Sequence, residues 1–292
     1  MNTPSPANRR RVAIVTGGTR GIGSGIADAL GEAGYDLLLT YNSNRDAADA
    51  YVATLQAKYQ GIHIEVVGGD MSHPSTRDLV FECFDTKFTG KVLAATVHNA
   101  GQYLGITSTN EDELNATTVA FGNNSILHPE TGKPQLEHMK YYQALYGDAY
   151  IDLCERSLAR MQKETGGGSL IGISSPGCNF THSTHPGYSL PGSGKCVMEY
   201  ANRIIALEAG AKNVNCNVII PGVTLSEAWG KLADLKGCKA EDITNAIVGA
   251  RVPMQRPIEV RGIGDVATFL CSENGRYVTG VSLPVDGGLH LK

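Results

Sequence analysis

Residues 11–26 read RVAIVTGGTRGIGSGI and combine a strand, a glycine-rich turn and the start of a helix. The apolar run Val12–Val15 predicts a buried strand, and Ile26, Ala27 and Leu30 share one face of the helix that follows. Such a turn places unpaired N–H groups and the positive end of a helix dipole together, which suits a diphosphate. An ordinary tight turn is the alternative. The residues expected at a bound nucleotide are Gly17, Thr19, Arg20, Gly21, Ile22 and Gly23.

The spacing Thr-Gly-x-x-x-Gly-x-Gly over residues 16–23 resembles that of the short-chain dehydrogenase/reductase family. The resemblance implies an α/β fold of the Rossmann type, with a doubly wound, seven-stranded parallel sheet in a single domain. On this basis residues 1–11 form a flexible N-terminal arm and residues 12–292 form the domain. An insertion is expected at about 102–145 and a substrate lid at about 225–252.

Composition excludes several functional classes. The formal net charge is −4, so electrostatics give no support for nucleic-acid binding, and no apolar run is long enough to span a membrane. The N-terminal residues lack the apolar core of a secretory signal, and the seven cysteines contain no Cys-x-x-Cys pair. We therefore expect a cytoplasmic protein with reduced thiols. His182 and His185 are the only close histidine pair, and no metal site is expected.

The end of the second predicted strand, Tyr35–Tyr41, is the position that contacts the adenosine ribose in dinucleotide-binding folds. Residues 40–44 contain no acid, which would bind the 2′-hydroxyl of NAD and repel a 2′-phosphate. Arg20 and Arg45 supply positive charge nearby, although both could be solvated surface residues. NADP(H) is therefore predicted as the cofactor, with hydroxyl and amide contacts from Tyr41, Asn42 and Ser43.

The family resemblance assigns further cofactor contacts. Asp70 matches the acid that accepts a hydrogen bond from adenine, with Met71 beside it, and Ser72 is expected to cap a helix with Pro74 in its first turn. His98 departs from the first Asn of the family's Asn-Asn-Ala-Gly sequence. The remaining contacts implied by the resemblance are Asn99, Ala100, Gly101, Pro221, Gly222, Val223 and Ser226.

The segment from Gly101 to Tyr146 departs from the regular alternation of strands and helices. Between Gly101 and Tyr146 lie 44 residues, far more than a usual βα connection. They could form a substrate flap, an oligomer contact or a tolerated surface insertion. A helix is predicted from about Met139 to Lys163, and alignment places Tyr146 where the family has a catalytic Asn.

Ser175, Tyr188 and Lys195 are the candidate catalytic residues, together with Tyr146. Ser175 and Tyr188 have the family's spacing, and Lys195 matches the catalytic lysine, which also binds the cofactor. However, Pro191 stands four residues before Lys195, where the family usually has Tyr. Because proline and two glycines disfavour helix, residues 191–194 are predicted to loop, with the helix starting near Ser193.

Three interpretations of this departure stay open. In the first, the loop bulges and Tyr188 acts at the Tyr-x6-Lys interval that resembles the family's enoyl reductases. In the second, Tyr146 or Ser193 supplies the polar group. In the third, the proton donor is absent and the protein reduces a protonated imine or performs non-redox chemistry.

The function predicted on this basis is NADPH-dependent reduction of a C=O, C=N or conjugated C=C bond in a small organic molecule, in specialised metabolism. Tyr188 would be the acid, Lys195 would lower its pKa, and Ser175 would hold the substrate oxygen. The alternatives are an isomerase or cyclase that retains NADP(H), and a cofactor-sensing regulator. The segment Trp229–Val252 is predicted to be helical and to cover the cleft, with Trp229 and Leu232 facing inward. The family resemblance also implies a homodimer or homotetramer.

Overall fold

The strand that precedes the glycine turn lies inside a seven-stranded parallel sheet, whose strands in spatial order are β3 Ile64–Gly68, β2 Asp36–Tyr41, β1 Arg11–Thr16, β4 Val92–His98, β5 Gly168–Ile173, β6 Val214–Pro221 and β9 Ser282–Val285. The computed structural model describes residues 10–102, 125–128, 130–161, 166–184 and 189–292. The strand order reverses between β1 and β4, so their carboxyl ends open the crevice in which α/β folds bind ligands.

Helices cover both faces of the sheet. On one face, Phe81, Tyr150 and Met198 belong to a buried cluster, and on the other Ile26 and Ile263 belong to a second one. The predicted doubly wound Rossmann-type fold is confirmed. The α-helices are α1 Gly21–Glu32, α2 Arg45–Lys58, α3 Pro74–Lys87, α4 Leu136–Tyr142, α5 Ala149–Arg160, α6 Ser189–Ala209, α7 Ala228–Lys236, α8 Ala240–Arg251 and α9 Val260–Leu270.

The segment predicted to lie over the cleft is helical. It forms α7 and α8, next to a two-stranded sheet of β7 (Thr224–Leu225) and β8 (Ile258–Glu259). Leu232 is buried, and the indole of Trp229 packs against a small apolar cluster while its N–H donates to the carbonyl oxygen of Thr224 at 2.7 Å. Both side chains therefore face inward, as predicted.

The helix predicted over Met139–Lys163 starts earlier and contains an irregular turn. Regular helix α4 passes into a π-helical segment, Gln143–Asp148, and then into α5, which ends at Arg160. Residues 103–124 of the predicted insertion and residues 1–9 of the predicted arm lie outside the described residues. Among the residues that are described, no helix is long and apolar enough to cross a membrane.

The predicted loop at Pro191–Gly194 is wrong, because all four residues belong to α6. Pro191 is the third residue of the described helix, and N–H groups in a first turn have no intrahelical acceptor to lose. The glycines serve packing. A Cβ on Gly194 would lie 2.2 Å from the carbonyl oxygen of Tyr142, and a Cβ on Gly147 would lie 2.8 Å from the side chain of Val197. Helix α6 thus packs closely against α4 and the π-helical segment. This close packing explains why glycine stands at position 194 although it lowers the helix propensity.

Gly194→Ala is expected to lower the free energy of unfolding by about 1–3 kcal/mol, because the added methyl group overpacks a backbone contact. Gly210→Ala is the matched control, since a Cβ there meets nothing within 4 Å. Urea denaturation of both variants measures the difference. Equal midpoints for the two would contradict the packing role.

Candidate active site

The glycine turn is built from residues that tolerate close contact. Gly17 has a φ of +61°, and a Cβ on it would lie 2.9 Å from the Cα of Ala100. A Cβ on Gly23 would lie 2.0 Å from the carbonyl oxygen of Gly17, so the turn requires both glycines. Gly21, at a φ of +53°, faces open space, where its hypothetical Cβ meets only Ser226, at 3.8 Å. No side chain caps α1 at Arg20, so its first-turn N–H groups remain open to an anion.

The carboxyl end of β2 carries no acid. The hydroxyl of Thr40 accepts a hydrogen bond from the amide of Gly17 at 2.9 Å, which ties this strand end to the turn. Asn42 is half-buried and Ser43 is exposed. The guanidinium of Arg45 donates to both carboxylate oxygens of Asp49, at 2.9 and 2.8 Å, whereas Arg20 is exposed in the glycine turn. Arg45 is therefore engaged within α2, and Arg20 is the better-placed cation for a phosphate.

Asp70 is held by two hydrogen bonds. Its Oδ1 accepts from the amide of Ser72 at 2.8 Å, and its Oδ2 accepts from the hydroxyl of Tyr141, also at 2.8 Å. Ser72 is not the cap predicted for α3, because the N-cap residue is His73, with Pro74 in the first turn. The contact with Tyr141 was missed by sequence reasoning, since the two residues are 71 positions apart. Met71 is buried beside Asp70.

His98 joins three elements beneath the crevice. The hydroxyl of Thr16 accepts from the amides of Asn99 (3.0 Å) and Ala100 (2.9 Å), so its own proton is donated to Nδ1 of His98, at 2.9 Å. The Nε2–H of His98 then donates to the carbonyl oxygen of Leu145 at 2.9 Å, in the π-helical segment. Burial lowers the pKa of His98 to about 4, so the imidazole is neutral. The replacement of the family's Asn by His thus fastens β4 to this segment.

Asn99 also holds the glycine turn. Its side-chain amide donates to the carbonyl oxygens of Thr16 and Gly17, both at 3.1 Å. The register of the sheet places Thr16 beside His98, and His98 beside Gly172. The carboxyl ends of β1, β4 and β5 therefore meet at one edge of the sheet.

Lys195 lies buried at this edge. Its ammonium donates to the carbonyl oxygen of Ile173, the last residue of β5, at 3.0 Å. Burial lowers the pKa of Lys195 to about 8, and the negative charge of Glu199 opposes that shift. The ammonium nitrogen also lies 4.6 Å from the centroid of the Tyr146 ring, a cation–π distance.

Tyr146 is buried between Lys195 and the end of β4. Its hydroxyl donates to the carbonyl oxygen of Gln102 at 2.8 Å, and its ring stacks on Tyr142 with centroids 6.1 Å apart. A Cβ on Gly101 would lie 2.9 Å from the Tyr146 hydroxyl, so the structure brings Tyr146, Lys195 and Gly101 together. The Tyr146 proton, however, is directed at a backbone carbonyl. Ser193 likewise donates to a carbonyl of its own helix, that of Leu190, at 2.7 Å.

A buried carboxylate, Glu199, organises the polar groups behind Lys195. It accepts hydrogen bonds from the side chains of Ser174, Asn179 and Ser282, the last at 2.8 Å. These donors come from the end of β5, the loop after it and β9. Ser175, half-buried at the end of β5, is the neighbour of Ser174. Tyr188 lies outside the described residues, one position before the first described residue of α6.

The turn after β6 closes the other side of the crevice. A Cβ on Gly222 would lie 2.6 Å from the Cα of Asp286, so the backbones touch there. Val223 accepts a hydrogen bond from the amide of Ile258 at 2.8 Å, which anchors the turn that starts at Pro221. A cavity of about 440 Å³ lies between the glycine turn and the lid. It is lined by Gly21, Ser24, Ser226, Trp229, Glu241 and Thr244, among others.

His182 meets Asp286 and His290, and its sequence neighbour His185 lies outside the described residues. Its Nε2 lies 2.8 Å from Oδ2 of Asp286, and Nδ1 of His290 lies 3.0 Å from both carboxylate oxygens. Asp286 also accepts from the amides of Gly288 and His290. Ligands of a tetrahedral zinc ion would lie about 3.3 Å apart, so these shorter separations are those of direct hydrogen bonds. The cluster links the loop after β5 to the C-terminal turn.

Family models match nearly the whole chain. A model described as short chain dehydrogenase matches residues 11–126, and one described as Enoyl-(Acyl carrier protein) reductase matches residues 115–290. The chain belongs to the short-chain dehydrogenase/reductase family. This short-chain dehydrogenase/reductase is therefore an oxidoreductase, and the predicted resemblance is confirmed.

Named relatives align with this short-chain dehydrogenase/reductase over almost its full length. Versicolorin reductase 1 of Aspergillus parasiticus is 28% identical, over 95% of this chain and 95% of its own. The 1-cyclohexenylcarbonyl-CoA reductase of Streptomyces collinus is 26% identical, over 100% and 92%. A blue fluorescent protein from a metagenomic library, solved in complex with NADPH, is 26% identical with a TM-score of 0.75, and the match covers 97% of this chain and 99% of that one.

The crevice of this short-chain dehydrogenase/reductase fits a nicotinamide dinucleotide. Its phosphates would find open space at Gly21, which has a positive φ, and free N–H groups at the uncapped N-terminus of α1. Residues 40–44 contain no acid that would repel them. Lys195 supplies a buried cation at the same sheet edge. The arrangement can therefore bind a dinucleotide along the strand ends and hold positive charge next to a reacting oxygen.

Proposed function

We propose that the protein is an NADPH-dependent reductase of a C=O, C=N or conjugated C=C bond in a small organic substrate. The observation that carries the proposal is the position of Lys195, whose buried ammonium is fixed to the end of β5, at the sheet edge where β1 and β4 also end. NADPH, when bound, supplies the hydride. The chain's part is to orient the reactants, exclude water and manage charge and a proton.

The preference for NADP(H) over NAD(H) is supported by charge. The exposed guanidinium of Arg20 lies in the glycine turn, and the residues that close β2 offer the Asn42 amide and the Ser43 hydroxyl. A 2′-phosphate needs donors and positive charge, and an acid at this position would repel it. The relative that was solved in complex with NADPH has the same fold.

Asn42→Asp is expected to raise the KM for NADPH by about tenfold or more and to lower the KM for NADH, because a carboxylate repels the 2′-phosphate and accepts from a 2′-hydroxyl. Steady-state kinetics with both cofactors measure the ratio. Asn42→Ser, which adds no charge, is the control. An unchanged ratio in Asn42→Asp would place the 2′-phosphate elsewhere.

The proposed reaction assigns a role to each candidate residue. Lys195 orients the ribose and lowers the pKa of the proton donor, Tyr188 donates the proton, and Ser175 holds the substrate oxygen. Tyr188 directly precedes Ser189, from which α6 is helical through Lys195, so no loop separates the described start of the helix from Lys195. This favours the first of the three interpretations, with helix in place of the bulged loop.

A second candidate function is non-redox chemistry, such as an isomerase or cyclase reaction that retains NADP(H). It is favoured by Pro191, which occupies the position of the family's usual tyrosine, and by the Tyr146 and Ser193 hydroxyls, which both donate to backbone carbonyls. Near-ultraviolet absorbance of NADPH, recorded with a panel of ketones, imines and enones and with NADH in parallel, separates the two functions. Consumption with one class supports the reductase, and tight binding without consumption supports the alternative.

We also propose that the protein forms a homodimer or homotetramer and that it acts in specialised metabolism. Helix α6 exposes apolar side chains that a second subunit would cover: Tyr200, Ile204 and Leu207. The lid of α7 and α8 would shape the substrate pocket. Light scattering on the purified protein tests the assembly, and a monomeric mass would contradict it.

A further inference from the structure

Two cysteines face each other where the candidate catalytic segments meet. Cys178 is buried three residues after Ser175, and Cys196 is exposed and follows Lys195 directly. The Cys196 thiol donates a hydrogen bond to the carbonyl oxygen of Cys178 at 2.9 Å. One sulfur therefore already lies against the backbone of the other residue.

The side chain of Cys178 also points at the same face of α6. Its sulfur lies 3.6 Å from the position that a Cβ on Gly192 would take. Gly192 precedes Cys196 by four residues, and residues four apart lie on one face of a helix. Because Gly192 has no side chain, the Cys178 sulfur occupies the space beside Cys196. The two thiols are within hydrogen-bond reach of each other, and a disulfide needs Cβ atoms about 3.5–4.5 Å apart.

The two sulfurs differ in chemical character. The Cys178 thiol can donate a hydrogen bond to the Cys196 sulfur, and this bond lowers the pKa of Cys196 to about 7. The same contact, together with burial, raises the pKa of Cys178. The exposed Cys196 thiol is therefore the more acidic of the two, and the buried Cys178 thiol keeps its proton. Exposed thiolates beside a second cysteine are the thiols that peroxides oxidise.

We propose that Cys178 and Cys196 form a modification site at which hydrogen peroxide produces a reversible disulfide. The Cys196 thiolate attacks one peroxide oxygen, the O–O bond breaks, and the departing hydroxide takes up a proton to leave as water. Cys196 is then a sulfenic acid. The Cys178 sulfur attacks the Cys196 sulfur, the S–O bond breaks, and the Cys178 proton leaves with the hydroxide as a second water. Two thiols are oxidised and one peroxide is reduced.

The disulfide would join the segment after β5, which carries Ser175, to the turn of α6 that carries Lys195. Formation of this disulfide does not depend on which reaction the protein catalyses, because peptide masses detect the disulfide directly.

The test treats the whole protein with hydrogen peroxide at neutral pH, blocks the remaining thiols with iodoacetamide and analyses the peptides by mass spectrometry. We expect a Cys178–Cys196 linked pair, lighter by two hydrogens than the two thiol peptides, that disappears with dithiothreitol. The pair should persist in Cys238→Ser, a matched change at another exposed cysteine, and vanish in Cys196→Ser. Wild-type protein in which Cys196 is oxidised or alkylated without any linkage to Cys178 would overturn the proposal.

Alkylation kinetics provide a second measurement that requires no disulfide. The rate of reaction of Cys196 with iodoacetamide should rise with pH and reach half its maximum near the pKa of about 7. Cys178→Ala removes the hydrogen-bond donor, so the midpoint should move to higher pH. A midpoint that is the same in both proteins would show that the two sulfurs do not interact.

Discussion

Lys195→Met is expected to lower kcat/KM for NADPH-dependent reduction by about a hundredfold or more, because it removes the positive charge at the end of β5 that can polarise the proton donor. The ammonium is buried and fixed to the carbonyl oxygen of Ile173 at 3.0 Å, so no solvent cation replaces it easily. Methionine keeps much of the volume, and the loss therefore reports charge more than packing.

Lys212→Met is the matched control. The ammonium of Lys212 also donates to a backbone carbonyl, that of Leu158, at 3.1 Å, but it is exposed and far from the crevice. We expect wild-type kinetics from it. Wild-type turnover in Lys195→Met, or an equal loss in both variants, would contradict the proposed role of Lys195.

The pH dependence follows from the lowered pKa of Lys195. Its ammonium is present below a pKa of about 8 and is lost as the pH rises through that value. Activity that depends on the charge should therefore fall above about pH 8. In Lys195→Arg the guanidinium stays protonated, so this fall should disappear even if the activity is lower throughout. A fall above pH 8 that is unchanged in Lys195→Arg would assign it to another group.

The sheet and its crevice could be predicted from sequence because their signals are local. Val12–Val15 is an apolar run of strand length that ends in a glycine turn, and the structure extends it by one residue on each side. The first-helix residues predicted to face inward, Ile26, Ala27 and Leu30, are all buried. Both the burial of a strand and the type of a turn depend on residues that are adjacent in sequence. Their prediction therefore requires no information about distant contacts.

The start of α6 could not be predicted in this way. Helix propensity counts Pro191, Gly192 and Gly194 against a helix, yet the helix includes them because Gly194 packs against the backbone of Tyr142. That contact joins residues 52 positions apart and offsets the local cost. The hydrogen-bond partners of Asp70, His98 and Glu199 could not be predicted either, because they also lie far away in sequence. A sequence shows which groups can form hydrogen bonds, whereas the fold decides which of them meet.

Tyr188→Phe is expected to lower turnover of a ketone or enone by about a hundredfold or more if Tyr188 is the acid, because the phenol proton is then missing from the transition state. Tyr146→Phe is the matched change at the other candidate phenol. It removes only the hydrogen bond to Gln102 and keeps the ring 4.6 Å from the Lys195 ammonium, so we expect a loss of only a few-fold, about 1 kcal/mol. Reversed effects of the two substitutions would make Tyr146 the donor.

The choice of substrate sharpens this comparison. A pre-formed iminium ion already carries its positive charge and needs no proton from the enzyme, so Tyr188→Phe should reduce it at nearly the wild-type rate while its reduction of a ketone fails. Near-ultraviolet absorbance of NADPH measures both reactions with the same two proteins. A loss that is equal for iminium and ketone would show that Tyr188 positions the substrate and does not donate the proton. Wild-type rates with both would mean that neither reaction needs the phenol, in agreement with the proline at the position where the family usually has its tyrosine.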